Sequence, residues 1–438
     1  MRLRLALSAA LAVVLTCAQA QTPPVATANE TLVIRAAHLF DGVNGTLRND
    51  GVVVVQGGKI VGVGNNAVAP AGARIIDMGD ATILPGFIDA HTHLTDEGNL
   101  NYYRGVYDKL MRTPADQALQ SALYAKQTLE AGFTTVRNVG GTYRVDIALR
   151  NAINAGVTQG PRMLTAAYSL GSTGGHCDGR PWPPERLQPE GVIEGVCNGP
   201  EACRQATREQ MKYGADVIKI CASGGVLSEA DPVDVPQLTP DELRAIVTEA
   251  HTWKRKVAAH AHGDVAARLA IEAGVDSIEH GTFLTEDTLR LMKSKGVYLV
   301  PTRAAVDWVG RQADTYPPQI AAKARAAHAA HDAMFKNAIR LGVPIAFGTD
   351  AGVFPHGTNA KEFALMTAVG MSATNALLAA TRDAARLLGL GDEIGTLEAG
   401  KTADIVVVSG DAVANVRATE SPLLVMWHGQ IVVEKKKN

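Results

Sequence analysis

The feature that most constrains this chain is an alternation, sustained through its middle, of short apolar runs with longer stretches of helical composition. Candidate strands end near His93, Asn138, Ala167, Ile220, His262, His280, Pro301 and Asp350. Between them lie segments such as 114–131, 240–255 and 320–341, whose Ala, Leu, Arg, Lys and Glu content favours helix. A strand reaches a parallel neighbour only through a long crossover, and a helix is the usual one. Eight such units over about 300 residues fit a closed (β/α)8 barrel, or TIM barrel, better than an open sheet.

Both ends read differently. Leu32-Val33-Ile34 and Val52-Val53-Val54-Val55 lead into Gly57-Gly58 and Ile60-Val61-Gly62-Val63, a hairpin pattern, and 404–408 and 423–433 again read as strands. We therefore expect 31–82 and 392–438 to build one composite β-sandwich around a barrel at 83–391. Length alone, 438 residues, suggests roughly three domains; the pattern reduces that to a barrel and one split sheet. A net charge of −2 advertises no surface for nucleic acid.

The start of the chain is set apart from both units. A basic Met1-Arg2-Leu3-Arg4 precedes an apolar run to Thr16, and Ala18-Gln19-Ala20 has the form of a secretory cleavage site. The run is too short to span a bilayer, which needs about 20 residues. Residues 1–20 are expected to be an export signal and 21–30 a flexible leader, which gives a periplasmic or secreted protein with no membrane segment in its mature form. Lipid attachment through Cys17 is disfavoured, because Thr16 is a poor residue to precede an acylated cysteine. Of the remaining cysteines, one bridge is expected among Cys177, Cys197 and Cys203. Cys221 lies in an apolar strand and reads as a free core thiol.

Chemistry is concentrated where the apolar runs end, as a barrel requires. His91-Thr92-His93 closes the first run, and residues two apart on a strand face the same way, so both imidazoles are placed to chelate one cation. His260, His280 and Asp350 close later runs. Four histidines and an aspartate at strand ends suit zinc or a similar borderline metal. Lys219, flanked by Ile218 and Ile220, shares a face with Val217 and Cys221; a buried unpaired ammonium is costly, so it must be paired or modified. His262 shares a face with His260 and is a candidate substrate contact, whereas Arg303 reads either as a partner for a carboxylate or as a surface residue. His251, His328 and His331 fall in helical stretches and are expected to be solvated.

The order H-x-H, strand-borne Lys, His, His, Asp, with the phrases IKICASGGV at 218–226, HAHG at 260–263, SIEHG at 277–281 and FGTDAG at 347–352, resembles the metal-dependent amidohydrolase superfamily. The phrases are similar to its prolidase branch, related to imidazolonepropionases, and the likeness runs from Leu32 to Val433. It implies two divalent metal ions, usually zinc, with His91, His93 and Asp350 on one, His260 and His280 on the other, and a carboxylated Lys219 bridging them. It also implies Asp350 as general base and acid, His176 in the substrate pocket, a small amide or dipeptide substrate, and a homo-oligomer. The expected activity is cleavage of dipeptides or N-acyl amino acids, ochratoxin-type amides included. Against it stand a cyclic-amide hydrolase or deaminase of the same superfamily, and a non-catalytic barrel. Single-metal deaminases do not need Lys219, and non-catalytic relatives lose ligands that this sequence keeps. The proline-bearing loop at 179–200 matches the family pattern poorly.

Overall fold

The computed structural model describes residues 30–435 apart from 65, 66, 68, 180–186 and 230. The expected signal and leader therefore lie outside the described residues, apart from Glu30, as do Cys17, Pro181, Pro183 and Pro184. Among the described residues no helix is long and apolar enough to cross a membrane.

The accessory sheet takes its strands from both ends: β1 (Thr31–Phe40), β2 (Leu47–Gln56), β3 (Lys59–Val63), β4 (Arg74–Asp77) and β5 (Ala81–Pro85) from the first, and β13 (Ile405–Ser409), β14 (Leu424–Trp427) and β15 (Gln430–Glu434) from the second. The hydrogen-bonded order is β15-β14-β13-β5-β1-β2-β3, with β4 beside β1. Strand β5 runs across the boundary expected after residue 82, because it is the strand that joins the halves: Ile83 pairs with Val407 and Leu84 with Val406. Alternation then divides the side chains. Ile405 and Val407 enter the sheet's own core, with Ile34, Val53 and Ile83. Val406 and Val408 point the other way, into the barrel core.

The barrel strands are β6 (Phe87–Thr92), β7 (Phe133–Asn138), β8 (Arg162–Thr165), β9 (Val217–Cys221), β10 (Lys256–Ala261), β11 (Ser277–His280) and β12 (Tyr298–Val300). β6-β7-β8 and β9-β10-β11-β12 are parallel runs. Two seams join them. At one, Leu170 donates to Lys219 O and Cys221 donates back to Leu170 O, both at 2.8 Å. At the other, bridges Leu299–Ile345 and Thr92–Ala351 place 345–351 between β12 and β6. The expected eighth strand is this bridging segment rather than a laddered strand. It passes so close to its neighbours that a Cβ on Gly348 would lie 2.3 Å from Val300 Cγ1, which only glycine avoids.

The barrel interior is layered. Phe87, Phe133, Phe347 and Phe363 pack at the N-terminal end with ring centroids 4.5–5.7 Å apart. Above them lie buried charges, Arg137 with Glu279 and Asp89 with Thr349. The histidines form the open, C-terminal layer. Among the helices, Pro114–Glu130 and Pro240–Thr252 begin with capping boxes at Thr113 and Thr239 and carry Pro in the first turn, so the expected segments start where the caps dictate.

One expectation fails in the helical layer and one in the cysteines. His331 is fully buried rather than solvated: its Nε2–H donates to Pro301 O at 2.8 Å, and burial lowers its pKa to about 4. Arg303 is buried too, and of its two readings the pairing with a carboxylate is the one observed: its guanidinium meets Asp332 at 2.6 Å. Cys221 is not free; it is bonded to Cys177, and Cys197 to Cys203. The face shared by Val217, Lys219 and Cys221 looks into the mouth, where the chain after Leu170 crosses β9 and brings Cys177 within reach.

Candidate active site at the barrel mouth

One cavity of about 440 Å³ gathers His91, His93, His176, Lys219, His260, His262, His280 and Asp350. The sequence thus brings every expected site residue to one place. Strand parity does most of this, but not all. On β11, Glu279 faces the barrel interior, so strict alternation would turn His280 outward. His280 adopts φ +68°, and Asp350 φ +63°, left-handed conformations rare outside glycine that swing both side chains into the mouth.

Each histidine spends one ring nitrogen on an outer partner. His91 Nδ1–H donates to Glu279 at 2.7 Å, His93 Nδ1–H to Gly140 O at 3.2 Å, and His260 Nε2–H to Gly224 O at 3.1 Å. His280 Nδ1 bonds Thr302 Oγ1 and His262 Nδ1 bonds Thr282 Oγ1, both at 2.7 Å. The other nitrogens converge. Two groups have mutually close ligand atoms, His91–His280–Asp350 and His260–His262–His280, sharing His280. His93 joins neither group but sits with Nε2 3.3 Å from Asp350 Oδ1. His262, expected only as a substrate contact, is close enough to the others to serve as a donor.

Electrostatics favours cation binding. Burial lowers the pKa of His262 to about 3 and holds His260 and His280 well below the usual imidazole value, so all three imidazoles are neutral and able to coordinate. Burial raises the Asp350 carboxyl, but His91 and His93 outweigh it and keep the group ionised. Burial brings Lys219 down to about 8 against the pull of Glu279 and Asp350, which leaves a reactive neutral fraction near neutral pH. Imidazoles with one nitrogen anchored and one free, beside an ionised carboxylate, are the donor set of a divalent metal site with its outer hydrogen bonds in place.

A family model described as the amidohydrolase family matches residues 82–432. The chain belongs to the amidohydrolase family. It is 32% identical to ochratoxinase of Aspergillus niger over 422 residues, 91% of this chain and 85% of that protein. Its fold superposes on a Xaa-Pro dipeptidase solved with bound methionine at TM-score 0.88 and 36% identity, covering 92% of this chain and 99% of the other. A prolidase complexed with N-methylphosphonate-L-proline gives TM-score 0.81 at 30% identity, covering 93% and 100%. This amidohydrolase is accordingly a metal-dependent hydrolase acting on amide C–N bonds.

The residues missed by sequence reasoning hold the amidohydrolase site from behind. Glu279 receives His91 and also Arg137, whose Nη2 lies 2.9 Å from Glu279 Oε1. Arg137 also donates to Ala90 O and Ser277 Oγ. Asp89 accepts from the backbone of His91 and Thr349 and from Asn359, and so clamps β6 to the 345–351 segment. Of these only Asp89, within Phe87-Ile88-Asp89-Ala90, is a charge inside an apolar run; Arg137 and Glu279 stand in the mixed runs at 133–138 and 277–280. His176 stacks on His260 with centroids 4.4 Å apart, and a Cβ on Gly225 would lie 2.1 Å from its Nδ1, so that glycine is required for His176 to enter.

Proposed function

We propose that this amidohydrolase uses two divalent metal ions, zinc by its donor set, to cleave an amide bond beside a free carboxylate, as in dipeptides or N-acyl amino acids. The observation that carries this reading is the pair of ligand groups sharing His280, with buried Lys219 in the same cavity. The ochratoxinase, Xaa-Pro dipeptidase and prolidase likenesses support the substrate class. His91, His93 and Asp350 would hold one ion and His260 and His280 the other, with Lys219 between them. Such ions supply carbonyl polarisation and a water of lowered pKa.

The chain's own residues supply the rest. Neutral Lys219 is set to add carbon dioxide at Nζ, releasing a proton and turning a costly buried cation into an anion of bridging shape. Ionised Asp350 accepts a proton from water and passes it to the departing amine nitrogen, base then acid. Glu279 keeps His91 in the Nδ1–H tautomer, with Nε2 free to coordinate. His176 and His262 line the wall against which the substrate lies. Two disulfides suit an oxidising compartment and support the export reading.

Elemental analysis of purified protein is expected to return about two metals per chain, a stoichiometry that follows from the division of the donors between His91, His93 and Asp350 on one side and His260 and His280 on the other; one or none overturns the binuclear site. With zinc supplied, Xaa-Pro dipeptides and N-acyl amino acids should be hydrolysed in preference to cyclic amides. The reverse order assigns the chain to cyclic-amide chemistry. Lys219→Ala should abolish turnover, with partial recovery in short carboxylic acids if the lysine acts as a carbamate.

A further inference from the structure

Beside the metal-binding wall the cavity has a second wall of opposite character. Val226 and Leu227 follow β9, Ala305 and Val309 lie on the helix Arg303–Arg311, and Ala324 and Ala327 on the helix Pro318–Leu341. All six are apolar, four of them buried at 1–6% exposure, and three are alanines, so the wall is recessed rather than filled. The recess is braced. Lys323, next to Ala324, donates to Gly225 O at 2.7 Å, Ser228 O at 2.5 Å and Asp231 O at 3.0 Å, which pins the Val226–Leu227 turn to the helix opposite. Those bonds occupy all three of its donors, so this lysine offers no hydrogen bond to a ligand.

The recess lies on the Asp350 side. Val353, whose N–H donates to Asp350 O at 3.1 Å, packs against both apolar clusters that form it, Ala305 with Ala351 on one hand and Val309 with Ala324 on the other. Resting on the reading of Asp350 as the group that protonates the departing nitrogen, whatever that nitrogen carries is directed at this wall. We infer that the recess formed by Leu227, Ala305, Ala324 and Ala327 selects amides whose leaving amino acid bears a bulky apolar side chain, branched aliphatic or aromatic. The four residues of this recess are all apolar, so a charged side chain seated against them would lose its water without gaining a partner from them.

Each methylene moved from water into such a recess is worth about fourfold in affinity or rate. Leucine should therefore exceed glycine at the leaving position by on the order of 100-fold in kcat/KM. The test is a series of N-acetyl and glycyl amides of Gly, Ala, Leu, Phe, Asp and Lys with the metal-loaded protein. A rise from Gly to Leu and Phe, with Asp and Lys at the bottom, is expected; a flat series or a preference for charge overturns the inference. Ala327→Leu and Ala305→Leu should lower the Leu-to-Gly ratio at least tenfold, whereas an unchanged ratio in folded variants counts against the recess. Free amino acids give a readout independent of turnover. Leucine and phenylalanine should bind by calorimetry at least tenfold tighter than glycine and aspartate, and equal binding overturns the recess even if no amide is cleaved. Absence of hydrolysis on the whole series, by contrast, overturns the proposed activity and leaves the calorimetric result to stand on its own.

Discussion

The two flanks of the cavity hold their histidines by different means. On the β6 flank, His91 is backed by a full charge: Glu279 is itself paired with Arg137, and all three are buried. On the β10–β11 flank, His260, His262 and His280 are backed by a carbonyl and two threonine hydroxyls. A carboxylate or carbonyl only accepts, so His91 and His260 each have one allowed tautomer, whereas a hydroxyl donates or accepts and leaves His262 and His280 adjustable. The difference teaches that His91 rests on an ionic scaffold needed with or without ligand, whereas His262 and His280 take their final tautomer with a cation present; His93 and His260, each on a carbonyl, are fixed without a charge behind them.

Breaking the ionic flank should cost most. Glu279→Gln leaves Arg137 buried and uncompensated, and urea denaturation should report a loss of about 3–5 kcal/mol, together with loss of metal. Thr302→Val tests the neutral flank. It should lower metal affinity about 10–100-fold, read by chelator competition, while stability falls by only about 1 kcal/mol. A larger stability loss in Thr302→Val than in Glu279→Gln would erase the distinction between the flanks.

Acid should sharpen it further. Burial pushes the Glu279 carboxyl up, but Arg137 and the His91 hydrogen bond outweigh it and hold it at about 2, against 4.5 unfolded. Its contribution to stability is therefore complete above pH 4.5 and lost as pH falls toward 2. The slope of unfolding midpoint against pH across that interval should flatten in Glu279→Gln and stay unchanged in Thr302→Val.

Much of this was legible in the sequence, and the misses share a cause. Strand ends follow from periods of two and 3.6, which are local, so the convergence of His91, Lys219 and His260 on one cavity is legible in the sequence, whereas Asp350 enters it through a left-handed backbone that no period announces. His331 departs from expectation because burial of a helix residue depends on what packs against it, here Pro301 O and Arg303; the same dependence left Arg303 open between two readings. Cys221 was misread for a like reason: the face was right, but its partner lies 44 residues away in a loop with no period. Glu279 and Arg137 stand in strands of mixed polarity, 277–280 and 133–138, where nothing local marks them as a buried ion pair.

The pairing of β5 with β13 sets the order in which the molecule is made. Residue 83 finds residue 407 only after the whole barrel has been synthesised. Emerging at about 5–20 residues per second, the nascent chain thus carries the β1–β5 half of the sheet with an unpaired edge for the better part of its synthesis. That edge is a template for aggregation until β13 arrives. Truncation near residue 400 should for this reason yield an insoluble product rather than a weakened enzyme, although every expected ligand lies upstream of the cut.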